Sequence, residues 1–253
     1  MDFTRALVTG ASSGIGRSMA LQLAEAGTAL VVVARDEARL NELAAEVAVE
    51  CEVLVADLAD PEAVERVAER IAAAADPIDL LVNNAGFGLT GKVVDQEVGS
   101  QQGMIDVNVS ALVHLSHAAA IAMADRGNGQ ILNVSSVASW LVAPSSAIYA
   151  ATKAFVTSFS QTLHEEMLGS GVGVSCLCPG LTRTEFQDRA EFDTSKLPDI
   201  MWQSAEAVAE AGLKAAARNR AIEIPGALNK STIGATQLMP RSLVRKLGSL
   251  ITD

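Results

Sequence analysis

Tyr149 and Lys153 stand four residues apart in the run Tyr-Ala-Ala-Thr-Lys, and Ser136 lies thirteen residues upstream. A spacing of four puts two side chains on one face of a helix, one turn apart. An ammonium held there favours phenolate and is expected to lower the phenol's pKa toward the range of a working acid/base group. A second constellation is Thr9-Gly10-Ala11-Ser12-Ser13-Gly14-Ile15-Gly16. A glycine-rich turn from a strand into a helix brings backbone N–H groups and the helix's partial positive charge to a phosphate, which suits a dinucleotide pyrophosphate. Together the two point to hydride exchange between a nicotinamide and a carbonyl or alcohol.

Such residues need a scaffold that delivers them to one edge, and the chain alternates strands and helices. Strands are expected at Ala6–Thr9, Ala29–Ala34, Glu52–Ala56, Leu80–Asn83, Gln130–Val134, Val172–Cys178 and Ala221–Ile224. Helices are expected at Gly14–Ala26 and Asp36–Glu50, and from Asp60-Pro61, where Asp caps and Pro takes the first position. Others are expected over Gln101–Asp125 and from the Tyr149/Lys153 segment to Leu168. This rhythm predicts an α/β fold of three layers, a doubly wound parallel sheet of about seven strands with helices on both faces. No linker or repeat divides the 253 residues, which read as one domain. Leu181–Ile200 is polar and irregular, with isolated Phe186, Phe192 and Pro198, and reads as a substrate loop. The tail from Gly226 to Thr252 carries four basic residues and no acidic one.

The net charge of −11 argues against nucleic acid as a partner. Cys51, Cys176 and Cys178 make no disulfide framework, and no further ligands suggest a metal. Cys176 and Cys178 should face the same way on their strand as buried, reduced thiols. The N-terminus lacks the shape of a signal peptide, and no apolar run approaches the roughly 20 residues of a membrane span. A cytoplasmic location is expected.

Further positions gather where the predicted strands end. Arg35 follows the second strand, where NAD-preferring folds carry an acidic residue for the ribose 2′-hydroxyl. A guanidinium there can grip a 2′-phosphate, with Ser13 adding a hydroxyl. The competing reading is a solvated arginine beside Asp36 and Glu37. Asp57 can accept from an adenine amino group or simply end the third strand. Asn83-Asn84-Ala85-Gly86 suits a tight backbone crossing near a ligand or an ordinary turn. Of Ser135 and Ser136 only one should face the crevice. His114, His117 and His164 are read as structural.

With these residues in view, the chain resembles the short-chain dehydrogenase/reductase family of single-domain type. The resemblance runs from Ala6 to Thr184. It rests on the Thr9–Gly16 turn, Asn83–Gly86, Asn108, Ser136, Tyr149, Lys153, and Pro179-Gly180 with Thr184. It implies that Tyr149 is the general acid in reduction and the base in oxidation. Lys153 would hold the nicotinamide ribose, Ser136 the substrate oxygen, and Asn108 a water in a proton relay. It further implies cofactor contacts from Gly10, Ser12, Ser13, Gly14, Ile15 and Gly16 in the first turn, and from Arg35, Asp57 and Leu58 at the adenosine side. Asn84, Ala85 and Gly86 follow the fourth strand, and Pro179, Gly180, Thr182 and Thr184 the sixth.

The expected activity is therefore an NADP(H)-dependent oxidoreductase, with NAD the less favoured cofactor, acting on a small-molecule carbonyl or alcohol. The alternative is a dinucleotide-binding sensor or scaffold that does not turn over. Leu89, Trp140, Leu141, Phe186 and Trp202 are candidate walls of an apolar pocket. The resemblance implies a homodimer or homotetramer built on the two long helices, the second carrying Ala154, Phe155, Phe159, Leu163 and Met167. Pro240 can open a last helix with Leu243, Val244, Leu247, Leu250 and Ile251 on one face. Packing of that face is favoured over contact with an anionic membrane.

Overall fold

The computed structural model describes residues 3–190, 198–240 and 242–245. Seven parallel strands form one sheet: β1 (Arg5–Thr9), β2 (Ala29–Ala34), β3 (Cys51–Val55), β4 (Leu80–Asn83), β5 (Gly129–Val134), β6 (Val172–Leu177) and β9 (Ile222–Glu223). Their order is β3-β2-β1-β4-β5-β6-β9. The chain winds outward from β1 in one direction and then, from β4, in the other. The crevice for a ligand accordingly opens above the carboxyl ends of β1 and β4, at this switch point.

Two apolar layers hold helices to the sheet, and strand alternation divides residues between them. Ala6, Val8, Leu30 and Val32 pack with Met19 and Leu23 of α1 (Gly14–Glu25) and Leu213 of α8 (Ala205–Ala217). Leu7, Val31, Val33 and Leu81 face the other way, onto Val67 and Ile71 of α3 (Pro61–Ala72) and Leu115 of α5 (Leu112–Arg126). Neighbours on a strand point to opposite faces, so nearly continuous apolar runs are what a sheet covered twice requires.

The predicted strands and most helices are present, with shifted ends. α2 is Glu37–Glu46 and stops before Glu50, because Cys51 already pairs with Leu30. Asp60 caps α3, accepting from Glu62 N at 3.0 Å. The seventh strand is only two residues long. Two helices went unforeseen: α8, capped by Ser204 accepting from Ala207 N, and α9 (Ala227–Leu238). The long helix starts earlier and is interrupted. α4 (Val98–Ile105) passes through a π-helical turn, Asp106–Ala111, into α5. Val98–Arg126 is long and apolar enough to cross a membrane, which the sequence reading did not anticipate. Here α5 packs on α3, β4 and β5 as a core helix.

The segment after β6 contains β7 (Thr182–Arg183), paired in parallel with β8 (Gln203–Ser204), and a short α7 (Phe186–Arg189). Phe192 lies outside the described residues, as does most of the predicted terminal helix, including Leu247, Leu250 and Ile251. Pro240 does begin a turn, its carbonyl accepting from Leu243 N and Val244 N.

Candidate active site

The glycine-rich turn wraps the first strand end tightly. Gly10 and Gly14 have φ of +66° and +55°, where a side chain is strained. A Cβ on Gly16 would lie 2.4 Å from both Asn84 Nδ2 and the Gly10 carbonyl oxygen. The glycines thus serve close packing within the protein. The turn still fits a phosphate. Ser13 stands at the N-cap of α1 without using its side chain to cap it, and the first helical turn holds no acidic residue. Its amides and partial positive charge therefore meet no competing carboxylate there.

Asn84 binds this turn to β4. Its Nδ2 donates to the Thr9 carbonyl at 2.9 Å and the Gly10 carbonyl at 3.3 Å. The amides of Asn84 and Ala85 both donate to Thr9 Oγ1 at 3.0 Å. At the adenosine side, Arg35 is exposed, with Nη1 3.9 Å from Asp57 Oδ2. Asp57 Oδ1 accepts from Ala59 N at 3.0 Å, so Asp57 shapes the turn and keeps its other oxygen outward. Leu58 puts its side chain in the core, leaving its backbone for any ligand.

At the other half of the crevice, α6 (Ala147–Glu166) delivers Tyr149 and Lys153 beneath the end of β5. Ser135 and Ser136 diverge as expected. Ser135 is buried and donates to the Lys153 carbonyl at 2.8 Å, with Thr157 Oγ1 2.7 Å away. Ser136 lies beside Tyr149, where its hydroxyl favours the phenolate. Its Oγ also accepts from Ala138 N at 3.1 Å, anchoring the single turn Val137–Trp140. The Lys153 ammonium is buried, donates to the Val134 carbonyl at 3.0 Å and lies 5.9 Å from the centre of the Tyr149 ring.

The electrostatics correct one expectation. Burial pushes the Tyr149 phenol up to about 12, with the Ser136 hydroxyl acting the other way. Burial also pushes Lys153 down to about 8, against the nearby thiols of Cys176 and Cys178. The spacing of four residues had predicted a lowered phenol. The ammonium is itself desolvated and turned to a carbonyl, so it does not offset the loss of water around the ring.

Asn108 sits within the π-helical turn, a feature that often marks functional sites. Its Nδ2 donates to the Phe87 carbonyl at 3.0 Å and to Thr152 Oγ1 at 3.1 Å, and its Oδ1 accepts from Phe87 N at 3.1 Å. The side chain is thus a clamp on the loop after Gly86. Gly86 permits this: a Cβ there would meet Asn108 Oδ1 at 2.9 Å and Lys153 Nζ at 3.3 Å.

The segment after β6 covers the site. Phe186 lies with its ring centre 5.5 Å from that of Tyr149, and both rings crowd Gly88. Trp202 lies instead under Arg183, at 5.5 Å. The Pro179 carbonyl accepts from Val137 N at 2.9 Å, and Gly180 presses on Asn229 of α9. Thr182 turns its hydroxyl to the Gly180 carbonyl at 3.0 Å and is buried, while Thr184 Oγ1 accepts from Phe186 N at 3.2 Å. Their hydroxyls thus shape the segment from within. Phe87, Gly88, Thr152 and Asn229 were not singled out in the sequence; only the glycine beside an Asn-Asn-Ala-Gly turn offered a signal. His114 pairs with Glu65 at 3.0 Å, and His164 Nδ1 lies 2.6 Å from the Val174 carbonyl, both away from the crevice. Cys176 and Cys178 share a face, with sulfurs 3.7 Å apart.

Known proteins carry the same pattern. The short chain dehydrogenase family pattern matches residues 4–194. Sulfoacetaldehyde reductase 2 of Chromohalobacter salexigens is 39% identical over 184 residues, covering 71% of this chain and 73% of its own. A short-chain dehydrogenase from Sphingobium yanoikuyae, solved in complex with NADPH, superposes with a TM-score of 0.83 at 36% identity, over 94% of this chain and 96% of its own. The bulky-bulky ketone specific alcohol dehydrogenase from Comamonas testosteroni superposes with a TM-score of 0.78 at 32% identity, over 95% and 96%. The chain belongs to the short-chain dehydrogenase family of NAD(P)(H)-dependent oxidoreductases.

Proposed function

We propose that this protein is an NADPH-dependent carbonyl reductase with Tyr149 as its general acid. The observation that carries the reading is Ser136 beside Tyr149, with the buried Lys153 ammonium 5.9 Å from that ring, at the carboxyl edge of β5. The nicotinamide, when bound, supplies the hydride to the carbonyl carbon. Tyr149, held in its protonated form by burial, gives its proton to the carbonyl oxygen, and an alcohol results. Ser136 holds that oxygen in line with the phenol. Lys153 orients the ribose hydroxyls and returns a proton toward Tyr149. Asn108 keeps Phe87 and Thr152 in place around them.

Arg35 supports NADP(H), since a fixed cation replaces the acidic residue that binds an unmodified ribose. The NADPH-bound relative supports the same choice. Phe186 beside Tyr149, with Trp140 and Leu141 in the adjoining turn, supports an apolar ketone, as does the name of the Comamonas enzyme. Half-exposed Ile121 on α5, Phe155 on α6 and Leu168 just after α6 support a homodimer or homotetramer. Buried free thiols support a reducing, cytoplasmic setting.

The test is NADPH oxidation across a panel of aliphatic and aromatic ketones, repeated with Tyr149→Phe. Turnover should fall by about 10²–10⁴-fold while NADPH affinity stays unchanged. Comparable turnover in the variant and the parent refutes the assignment of Tyr149.

A further inference from the structure

Arg39 lies in the first turn of α2, an unfavourable place for a cation because the helix N-terminus is partly positive. Its backbone is well explained: Arg39 N donates to the carboxylate of the capping residue Asp36 at 3.1 Å. Its side chain goes elsewhere. Nη1 contacts both oxygens of Glu185, at 3.0 and 2.9 Å, while Nε lies 3.5 Å from Asp36 Oδ2. Among the described residues no partner reaches Nη2. This contact joins positions 146 residues apart. It runs from the end of β2 to the residue after Thr184, whose methyl would meet a Cβ on Gly14 at 3.0 Å. The guanidinium thus ties the first turn of α2, four residues past Arg35, to the segment that packs on Gly14 of the glycine-rich turn; an arginine near this strand end is what a ribose 2′-phosphate calls for.

What it holds there is an anion supplied by the protein. A planar guanidinium binds carboxylate and phosphate by the same fork of N–H donors, and a phosphate dianion offers more charge and more acceptor oxygens. Glu185 also has a second cation ready, since Arg189 pairs with it one helical turn on. Loss of Arg39 would not strand the carboxylate.

We propose that Arg39 is a second residue for the 2′-phosphate of NADP(H), held by Glu185 as an internal competitor until the phosphate displaces it. The inference rests on the NADP(H) reading and deepens it. Arg35 supplies a standing cation, and Arg39 one that must be taken from Glu185. Cofactors without the 2′-phosphate leave the Arg39–Glu185 pair in place.

Calorimetric binding of NADPH, NADH and 2′,5′-ADP to the full chain tests this without turnover. Arg39→Gln should weaken NADPH and 2′,5′-ADP by about tenfold, the scale of one charge-assisted contact, and leave NADH within about twofold. Glu185→Gln should tighten both phosphate-bearing ligands by about two- to fivefold, the scale of an exposed ion pair. NADH should again be unchanged. In the Arg39→Gln background, Glu185→Gln should have no effect, because the competition has lost its object. Both residues are partly or fully exposed, and matching thermal melts would show that the fold is intact. If the parent does not discriminate NADPH from NADH, the NADP(H) reading fails and this inference with it. If the parent discriminates but Arg39→Gln binds NADPH like the parent, the inference alone fails. Glu185→Gln weakening NADPH and NADH equally also overturns it, leaving a fixed tie between α2 and the covering segment.

Discussion

Tyr149 is the only tyrosine in the chain, so the near-ultraviolet absorbance of tyrosinate reports on one residue. The rise of its phenol from 10.0 to about 12 corresponds to about 3 kcal/mol against phenolate. The ligand-free protein should therefore show no tyrosinate through pH 10 and a midpoint near pH 12, while the chain in denaturant titrates near 10. Ser136→Ala should move the native midpoint higher, because that hydroxyl is the group that pulls it down. Stability follows with a definite sign. Between pH 10 and about 12 the unfolded chain releases the phenol proton and the native chain keeps it, so stability falls as pH rises through that window. Lys153 acts oppositely and earlier. The native chain releases the ammonium proton near 8 and the unfolded chain near 10.5, so stability rises across that interval. Urea midpoints measured against pH should show both limbs. Tyr149→Phe should remove only the falling limb and Lys153→Met only the rising one. A tyrosinate midpoint at or below pH 10, in protein whose circular dichroism is still native, would refute the argument. It would mean that the lysine charge outweighs burial even in the free protein.

Gly16→Ala should destabilise by about 1–3 kcal/mol, because its Cβ would have to displace Asn84 and the Gly10 carbonyl, each 2.4 Å away; an unchanged thermal midpoint would contradict this close packing. Arg35→Asp should reverse the preference for NADPH over NADH, by about ten- to 150-fold in affinity for the phosphate-bearing cofactor, and equal affinities in the parent would reduce Arg35 to a surface residue. Phe155, 42% exposed and stacked on Phe159, should lie in a contact between copies, so Phe155→Glu should lower the sedimenting mass; a parent sedimenting only near 26.3 kDa at micromolar concentration removes that contact.

The parts of the site legible in the sequence are those set by local geometry. Tyr149 and Lys153 share a face because four residues make about one helical turn, and Gly10, Gly14 and Gly16 belong to one continuous turn. Strand periodicity separates Ser135 from Ser136 in the same way. What stayed hidden depends on chain segments that meet only after folding. Asn108 reaches Phe87 from a π-helical turn that no period of 3.6 announces. Phe186 reaches Tyr149, and Arg39 reaches Glu185, across sequence separations that leave no pattern behind. The missed α8 is a different case. Ser204 before an alanine-rich run is a capping signal that local sequence does carry.

The pKa of Tyr149 shows where the boundary between these two kinds of information falls. Sequence spacing identifies the neighbour, and Lys153 Nζ does lie 5.9 Å from the centre of the Tyr149 ring. It contains nothing about how much water each group loses, and desolvation is the larger effect for both Tyr149 and Lys153. The same two residues that one turn of helix would make into a phenolate and an ammonium are driven by burial toward phenol and amine. A protonated phenol is the form that carbonyl reduction requires of an acid at Tyr149, and alcohol oxidation requires the phenolate, which burial opposes.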